Sequence, residues 1–350
     1  FMTEPTPGKR TELSSLGEFG LIRHLTEAFT IEQPSTIKGI GDDAAVIDYG
    51  NKVTLVSTDL LVEGVHFDLA YMPLKHLGYK CAAVNFSDIV AMNGTPRQLF
   101  VGISVSNRFP VEALDEIYEG IRLACKRYHV DLAGGDTTSS VHGLFLSLTV
   151  TGDANKEDVV YRSTAKENDL ICVSGDLGAA YMGLMLLERE KKVFEADPGM
   201  QPDLAGFDYI LERQLKPEPR TDIIELLKTV GVKPTAMIDI SDGLASEVLH
   251  LCEDSGLGCR IYEDKIPLDA MTVAAAEEFN LQPVTAAMNG GEDYELLFTI
   301  GMNDFEKVKD LEGISIIGHM TEPNLGVFMA SNNGPLIKIE ALGWNHMREE

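Results

Sequence analysis

The sequence predicts an α/β protein of two domains, each a mixed sheet flanked by helices. Short apolar runs alternate with stretches of helical period in both halves, the pattern of strands and helices in turn. A polar segment beginning at Gly152 separates the halves, giving domains 1–152 and 153–350. A chain of 350 residues is long enough for about two cores of this kind.

In the first half, Ser15-Leu16-Gly17-Glu18 has the form of a capping box. The helix it opens runs to about residue 29, with Phe19, Ile22, Leu25 and Phe29 on one face. Residues 37–43 are rich in glycine and predict a turn. Strands are expected over 44–48 and 53–58, around Tyr49-Gly50-Asn51, and 62–66 reads as extended or loop. Pro73 opens a long helix to about residue 92, stopped by Asn93-Gly94-Thr95-Pro96. A strand over 99–105, a helix over 110–128, a turn at Gly134-Gly135-Asp136 and a strand over 144–151 follow.

In the second half, 170–174 predicts a strand. Gly175-Asp176-Leu177-Gly178 turns the chain into a helix to about residue 190. Residues 191–202 are polar, contain Pro and Gly, and predict a mobile loop. Residues 207–214 are helical, and Pro217-Glu218-Pro219-Arg220 breaks that helix and starts another to about 230. An apolar run, Ala236-Met237-Ile238, leads into Asp239-Ile240-Ser241-Asp242-Gly243-Leu244, and a helix runs out to about 254. A strand over 259–262, a helix over 268–279 and a strand over 294–300 follow. The turn Gly290-Gly291-Glu292-Asp293 precedes that last strand. A helix and two strands reach about 329, and 336–342 closes the chain. No repeat of fixed period is visible.

Composition narrows the function. Apolar residues make up 44% and charged residues 24%, as in ordinary globular proteins. No apolar run approaches transmembrane length, so no membrane partner is expected. The first residues carry no apolar signal region, and the five cysteines are scattered with no Cys-x-x-Cys pair. Both features predict a cytoplasmic protein in a reducing compartment, without a disulfide framework or a zinc site. The net charge is −26, from 55 acids and 29 bases. Nucleic acid is therefore not an expected partner, since phosphate-backbone binding needs a basic face.

The usual phosphate-handling motifs are missing: no Walker loop, no Gly-x-Gly-x-x-Gly fingerprint, no His-Arg-Asp loop, no Gly-x-Ser-x-Gly elbow and no EF-hand spacing. What recurs is an acid beside Gly, Ser or Thr: Gly41-Asp42-Asp43, Ser57-Thr58-Asp59, Asn85-Phe86-Ser87-Asp88, Gly134-Gly135-Asp136-Thr137-Thr138, Asp239-Ile240-Ser241-Asp242 and Gly290-Gly291-Glu292-Asp293. Carboxylate, hydroxyl and phosphate oxygens are what magnesium prefers. The expectation is that most of these units converge on one metal-loaded phosphate site, the glycines letting backbone N–H groups approach the phosphates. Each unit alone is also what a helix cap or turn supplies. Asp88 stands out, because it lies among Ala82, Ala83, Val84, Phe86, Ile89 and Val90, and a carboxylate there needs a cation or a proton. His66 could touch an anionic substrate or be a satisfied loop histidine. Arg162 could clamp a phosphate or form a surface ion pair, and Trp344 could stack on a substrate ring or pack on the core.

Taken in order, these motifs resemble the thiamine-monophosphate kinase family, within the aminoimidazole-ribonucleotide-synthetase-like (PurM-like) superfamily. The resemblance runs from Gly17-Glu18-Phe19 to Trp344 and is carried by Gly39-Ile40-Gly41-Asp42-Asp43, Ser57-Thr58-Asp59, Gly64-Val65-His66-Phe67, Asn85-Phe86-Ser87-Asp88, Gly134-Gly135-Asp136, Asp239-Ile240-Ser241-Asp242-Gly243-Leu244 and Gly290-Gly291-Glu292-Asp293-Tyr294-Glu295-Leu296. It implies a two-domain α/β fold whose N-terminal domains pair into a barrel across a homodimer. It implies that ATP and thiamine monophosphate become ADP and thiamine diphosphate. By similarity, Asp43, Ser57, Thr58, Asp59, Asp88, Asp136, Asp239 and Asp242 would hold several magnesium ions. Tyr118, Gly135, Asp136, Arg162 and Ser241 would contact ATP, and His66, Glu292 and Trp344 would face the thiamine phosphate. A potassium (K+) requirement is left open.

The acceptor in such a reaction is a phosphate oxygen, largely ionised at neutral pH because its second pKa is about 6. No strong general base is then needed, and direct in-line transfer is expected. A selenophosphate synthetase would carry a reactive N-terminal cysteine, and a hydrogenase-maturation enzyme would end in one. Here the first cysteine is Cys81 and the chain ends Met347-Arg348-Glu349-Glu350. An enzyme like aminoimidazole ribonucleotide synthetase and a non-catalytic divalent-metal-binding protein remain the alternatives.

Overall fold

A computed structural model describes residues 24–38, 46–47, 50, 52–332 and 334–340. The capping box at 15–18, Asp43 and Trp344 lie outside the described residues. The chain forms two compact units, Phe1–Ile89 with Gly94–Glu157, and Val90–Asn93 with Asp158–Glu350.

In the first unit, β1 (Thr36–Lys38) and β2 (Val46–Ile47) form a small antiparallel ribbon. The main sheet contains β3 (Val53–Val62), β4 (Thr95–Val105), β5 (Asp131–Ser139) and β6 (Leu144–Ala154), in the order β3-β6-β4-β5. β6 runs antiparallel to both neighbours, and β4 pairs with β5 in parallel. Alternation sets the inner face. Leu144, Leu146, Leu148 and Val150 are fully buried, as are Leu99, Val101 and Ile103 on β4. Gly134-Gly135-Asp136-Thr137-Thr138 is not the expected turn but the interior of β5, held in register against 100–104. Gly135 is required there, because a Cβ would sit 2.0 Å from the Val101 carbonyl oxygen.

The helix Leu74–Ala91 is buried all round from Leu77 onward, with Asp88 the single residue that reaches solvent. It meets the helix Val111–Tyr128 at two glycines. A Cβ on Gly78 would lie 1.8 Å from the Ile117 oxygen, and one on Gly120 would lie 2.0 Å from the Lys75 oxygen. The two backbones therefore touch at this crossing.

The second unit holds a seven-stranded mixed sheet of β7 (Leu170–Ser174), β8 (Ala236–Asp239), β9 (Gly258–Tyr262), β10 (Leu296–Ile300), β11 (Ile314–Thr321), β12 (Val327–Ala330) and β13 (Leu336–Lys338). The order is β13-β12-β9-β11-β7-β10-β8, antiparallel except for the parallel β12–β9 pair. Both faces are covered. Ile171 and Val173 pack with Leu244, Val248 and Leu251 of the helix Leu244–Ser255. Cys172 between them packs with Ile223, Ile224 and Leu227 of the helix Thr221–Thr229. Two expectations are corrected here. The helix expected to stop near 190 is Ala179–Ala196, so the first part of the predicted loop is helical. A short helix, Pro283–Asn289, with Pro at its first position, had no counterpart in the sequence reading. Among the described residues no helix is long and apolar enough to cross a membrane.

The helix crossing generates a test. Gly120→Ala forces the two backbones apart and should destabilise the protein by about 1–3 kcal/mol. Urea unfolding with an unchanged midpoint would show that the contact does not matter.

Candidate active site

The Asp239 bend forms as expected: β8 enters, residues 240–243 turn, and the helix Leu244–Ser255 leaves. Asp239 is buried at the end of the strand, opposite Leu296 in register, while Asp242 is exposed. Gly243 adopts φ +107° and caps the helix with no side chain. The bend is tied to the loop at 290–295. The Ile240 N–H donates to Glu295 O (2.8 Å), the Glu292 N–H donates to Ser241 O (2.7 Å) and the Tyr294 N–H donates to Ile240 O (2.8 Å). Glu292 and Tyr294 take positive φ, 69° and 51°, to make these bonds. A Cβ on Gly291 would lie 2.4 Å from Ser241 O, so Gly291 serves a close approach of backbone to backbone. That replaces the expectation that this glycine makes room for a phosphate.

Sequence reasoning missed two features of this region. Glu247, 2% exposed, accepts at Oε1 from Asp242 N (2.9 Å), Ser241 N (3.2 Å) and Ser241 Oγ (3.2 Å). Burial pushes its carboxyl up to about 7, opposed in part by those donors. Its signal was an acid on the apolar stripe of Leu244, Val248 and Leu251. The second is a buried ionic network. Arg213 reaches Glu295 (3.1 Å) and Asp176 (3.3 Å), and Arg220 pairs with Glu295 and with Asp222 (2.8 Å). Ser174 also donates to Glu295. Asp293 accepts from the Gly178 N–H (2.8 Å), and burial pushes its carboxyl up to about 7 against the pull of Arg213. Glu292 accepts from Gln214 Nε2 (2.7 Å), which orients the predicted substrate residue.

In the first unit, Ser57 Oγ donates to Asp88 Oδ2 (2.5 Å). Burial, then repulsion by Asp88, pushes the Asp59 carboxyl up to about 6. Ser57 and Asp59 share the inner face of β3 with buried Leu55 and Leu61. Thr58 falls on the other face, where its Oγ1 donates to Leu148 O (2.9 Å) and lies 2.9 Å from Thr149 Oγ1. Asp136 is in register with Gly102, two places from Phe100, and so alternates with Gly135 rather than sharing its face. The pleat thus divides the predicted ligands. Ser57, Asp59 and Asp88 come together, and the side chains of Thr58 and Asp136 do not join them. Among the described residues no three His, Cys, Asp or Glu side chains lie close enough to hold one metal ion.

The remaining predicted residues are placed as follows. His66 Nδ1 accepts from the Val62 N–H (3.0 Å), so the neutral ring carries its proton on Nε2. Tyr118 lies on the buried face of its helix beside Leu114, Ile117 and Ile121, and burial raises its phenol, so it is a core residue rather than an open stacking surface. Arg162 pairs with Asp254 (3.4 Å) at the surface.

The model of the AIR synthase related protein N-terminal domain matches residues 41–154. The thiamine-monophosphate kinase of Bacillus subtilis is 34% identical over 339 residues, 95% of this chain and 100% of its own. That of Aquifex aeolicus is 33% identical over 89% of this chain and 97% of its own. Among solved structures, AaThiL complexed with AMPPCP and TMP superposes with a TM-score of 0.75 at 31% identity, covering 97% of this chain and 100% of its own. The hydrogenase maturation protein HypE in complex with ATP gives 0.72 at 18% identity, covering 92% of each chain, a likeness of fold alone. The mixed α/β architecture matches these folds.

The raised Asp293 carboxyl generates a test. The folded chain keeps a proton that the unfolded chain releases near pH 4, so ionisation draws stability down as pH rises from about 4 to about 7. Asp293→Asn has no proton to lose. Its melting temperature relative to wild type should rise by at least ~2 °C between pH 5 and pH 8. A difference that stays constant across that range would contradict the assignment.

Proposed function

This chain belongs to the thiamine-monophosphate kinase family, and we propose that it transfers the γ-phosphoryl group of ATP to thiamine monophosphate, giving ADP and thiamine diphosphate. The observation that carries this is identity of 34% across the whole length of a named thiamine-monophosphate kinase. It is supported by a fold match to a relative complexed with the ATP analogue AMPPCP and with TMP.

Magnesium is the cation we assign. When bound, it would offset the repulsion between two phosphate-bearing anions. Ser57, Asp59 and Asp88 fit it: all are oxygen donors, and Asp59 and Asp88 repel each other in a setting that a divalent cation relieves. Magnesium is commonly held by one or two carboxylates, with phosphate and water completing its shell, so a small protein donor set suffices. Asp239 and Asp242 are the proposed ligands in the second unit, and Asp43 and Asp136 remain candidates from the resemblance. Thr58 remains a candidate from the resemblance, with its hydroxyl on the other face of β3. Potassium is tested by omission in the same assay. Arg162, Ser241 and Gly135 are the proposed ATP contacts. Tyr118, also implied for ATP by the resemblance, has little surface for it.

His66, whose Nδ1 accepts from the Val62 N–H, is the proposed contact to the phosphate of thiamine monophosphate. Glu292, held by Gln214, and Trp344 are the proposed contacts to the thiamine part. The acceptor oxygen is already ionised, so the chain has to orient it in line rather than deprotonate it. No phosphoenzyme forms. The N-terminal domain would carry the dimer contact and most of the nucleotide–magnesium residues, and the C-terminal domain would complete the metal and substrate set. Val56 (65% exposed) and Leu60 (56% exposed) stand on the outer face of β3, an edge strand, which supports pairing of two such sheets in a homodimer. A reducing, cytoplasmic setting fits the five free, buried cysteines.

Magnesium-dependent ADP release that requires thiamine monophosphate tests this function. Asp88→Asn should lower that rate by about 100-fold or more while leaving the circular dichroism spectrum and melting curve near wild type. Turnover within a fewfold of wild type would remove Asp88 from the magnesium set.

A further inference from the structure

We propose that Glu247 is a positioning residue for this reaction, a buried carboxylate that fixes the 240–243 bend so that only the side chains of Ser241 and Asp242 face the ligand. The proposal rests on the kinase function above.

The main-chain hydrogen bonds of the bend lead to it. The carbonyls of Ile240 and Ser241 are taken by the N–H groups of Tyr294 and Glu292, and the Ile240 N–H is taken by Glu295 O. Of the N–H groups in 240–243, those of Ser241, Asp242 and Gly243 are not used by the loop. Those of Ser241 and Asp242 lie just before the helix cap, where successive N–H groups of a bend are open to an anion such as a phosphate. Here Glu247 Oε1 accepts from both of them, and also lies 3.2 Å from Ser241 Oγ. The helix cap, Gly243, has no side chain to do this, so Glu247 reaches back from inside the first turn, past the cap. The second carboxylate oxygen, Oε2, is buried and accepts no hydrogen bond among the described residues. A helix cap alone does not need a full carboxylate in that position.

Two consequences follow for the ligand. Phosphate cannot use the Ser241 and Asp242 amides, because Glu247 already accepts from both. At those two positions it must be approached through Asp242 and a cation. Ser241, with its hydroxyl proton directed at Glu247, presents lone pairs to the ligand and acts as an acceptor.

The experiment compares Glu247→Met and Glu247→Ala, which remove the acceptor, with Glu247→Gln, which keeps one. Wild-type ADP release with thiamine monophosphate is the control; its absence would overturn the kinase function itself, separately from the role of Glu247. The expected result for Met and Ala is faster hydrogen exchange across 240–243 in the absence of metal and nucleotide. With it should come at least a tenfold drop in kcat, a several-fold rise in the magnesium concentration for half-maximal rate, and a KM for thiamine monophosphate within twofold. Glu247→Gln should restore slow exchange and at least a third of the wild-type kcat. Wild-type kcat and magnesium dependence in a folded Met or Ala variant would overturn the proposal. So would failure of both variants to fold, which would make Glu247 a folding residue, or a loss confined to the KM for thiamine monophosphate.

Discussion

The bend of the second unit that carries Ser241 and Asp242 depends on three main-chain hydrogen bonds to the 290–295 loop. They extend the antiparallel β8–β10 pairing one turn beyond the sheet, past the Asp239–Leu296 pair. To reach them the loop holds two non-glycine residues at positive φ, and it needs glycine at 291 to come within reach of Ser241. Such a backbone is costly and persists only where its surroundings over-determine it. Arg213, Arg220, Ser174 and the Gly178 N–H supply that by fixing Glu295 and Asp293, the acids on either side of Tyr294. The ionic network is thus support for a strained loop, and the loop in turn sets Glu292 and the bend.

The first unit solves a different problem. Its candidate acids have to stand beside one another without being swallowed by the core. The helix Leu74–Ala91 is buried on every side from Leu77, which is possible only because glycines at 78 and 120 let its neighbour come to backbone contact. A helix buried so fully cannot shift to relieve a repulsion at Asp88. Burial first and then that repulsion raise the Asp59 carboxyl, while Ser57 donates to Asp88.

Much of this was legible in the sequence, and the misses share a cause. The strand–bend–helix at Asp239 was visible because an apolar run, a glycine and an amphipathic run each carry local signals. Asp88 was visible as an acid in an apolar stretch. Glu247 carries the same signal on the Leu244, Val248 and Leu251 stripe, yet its meaning lies in which amides it meets, and that needs the bend's geometry. The split of Ser57 and Asp59 from Thr58 follows from the two-residue period of a strand, but only once 57–59 is known to lie inside β3 and not at its end. Gly134-Gly135 reads locally as a turn. Strand pairing overrode that, because close approach to Val101 requires glycine as firmly as a turn does. The helix Ala179–Ala196 continues through Lys191-Lys192-Val193-Phe194-Glu195 because lysine and glutamate, polar though they are, sustain a helix.

A chain of net charge −26 that handles two phosphate esters has to separate its own acids from its substrate's. Two of its arginines are spent internally. Arg213 and Arg220 lie against Glu295. Two of the bend amides, those of Ser241 and Asp242, are closed by Glu247. The proposed metal ligands are all oxygen donors, Ser57, Asp59 and Asp88 in the first unit and Asp239 and Asp242 in the second. Oxygen donors attract a phosphate only through a shared cation. On the proposed assignment, binding of the nucleotide would be conditional on magnesium, and the same condition would exclude bare anions that arrive without one.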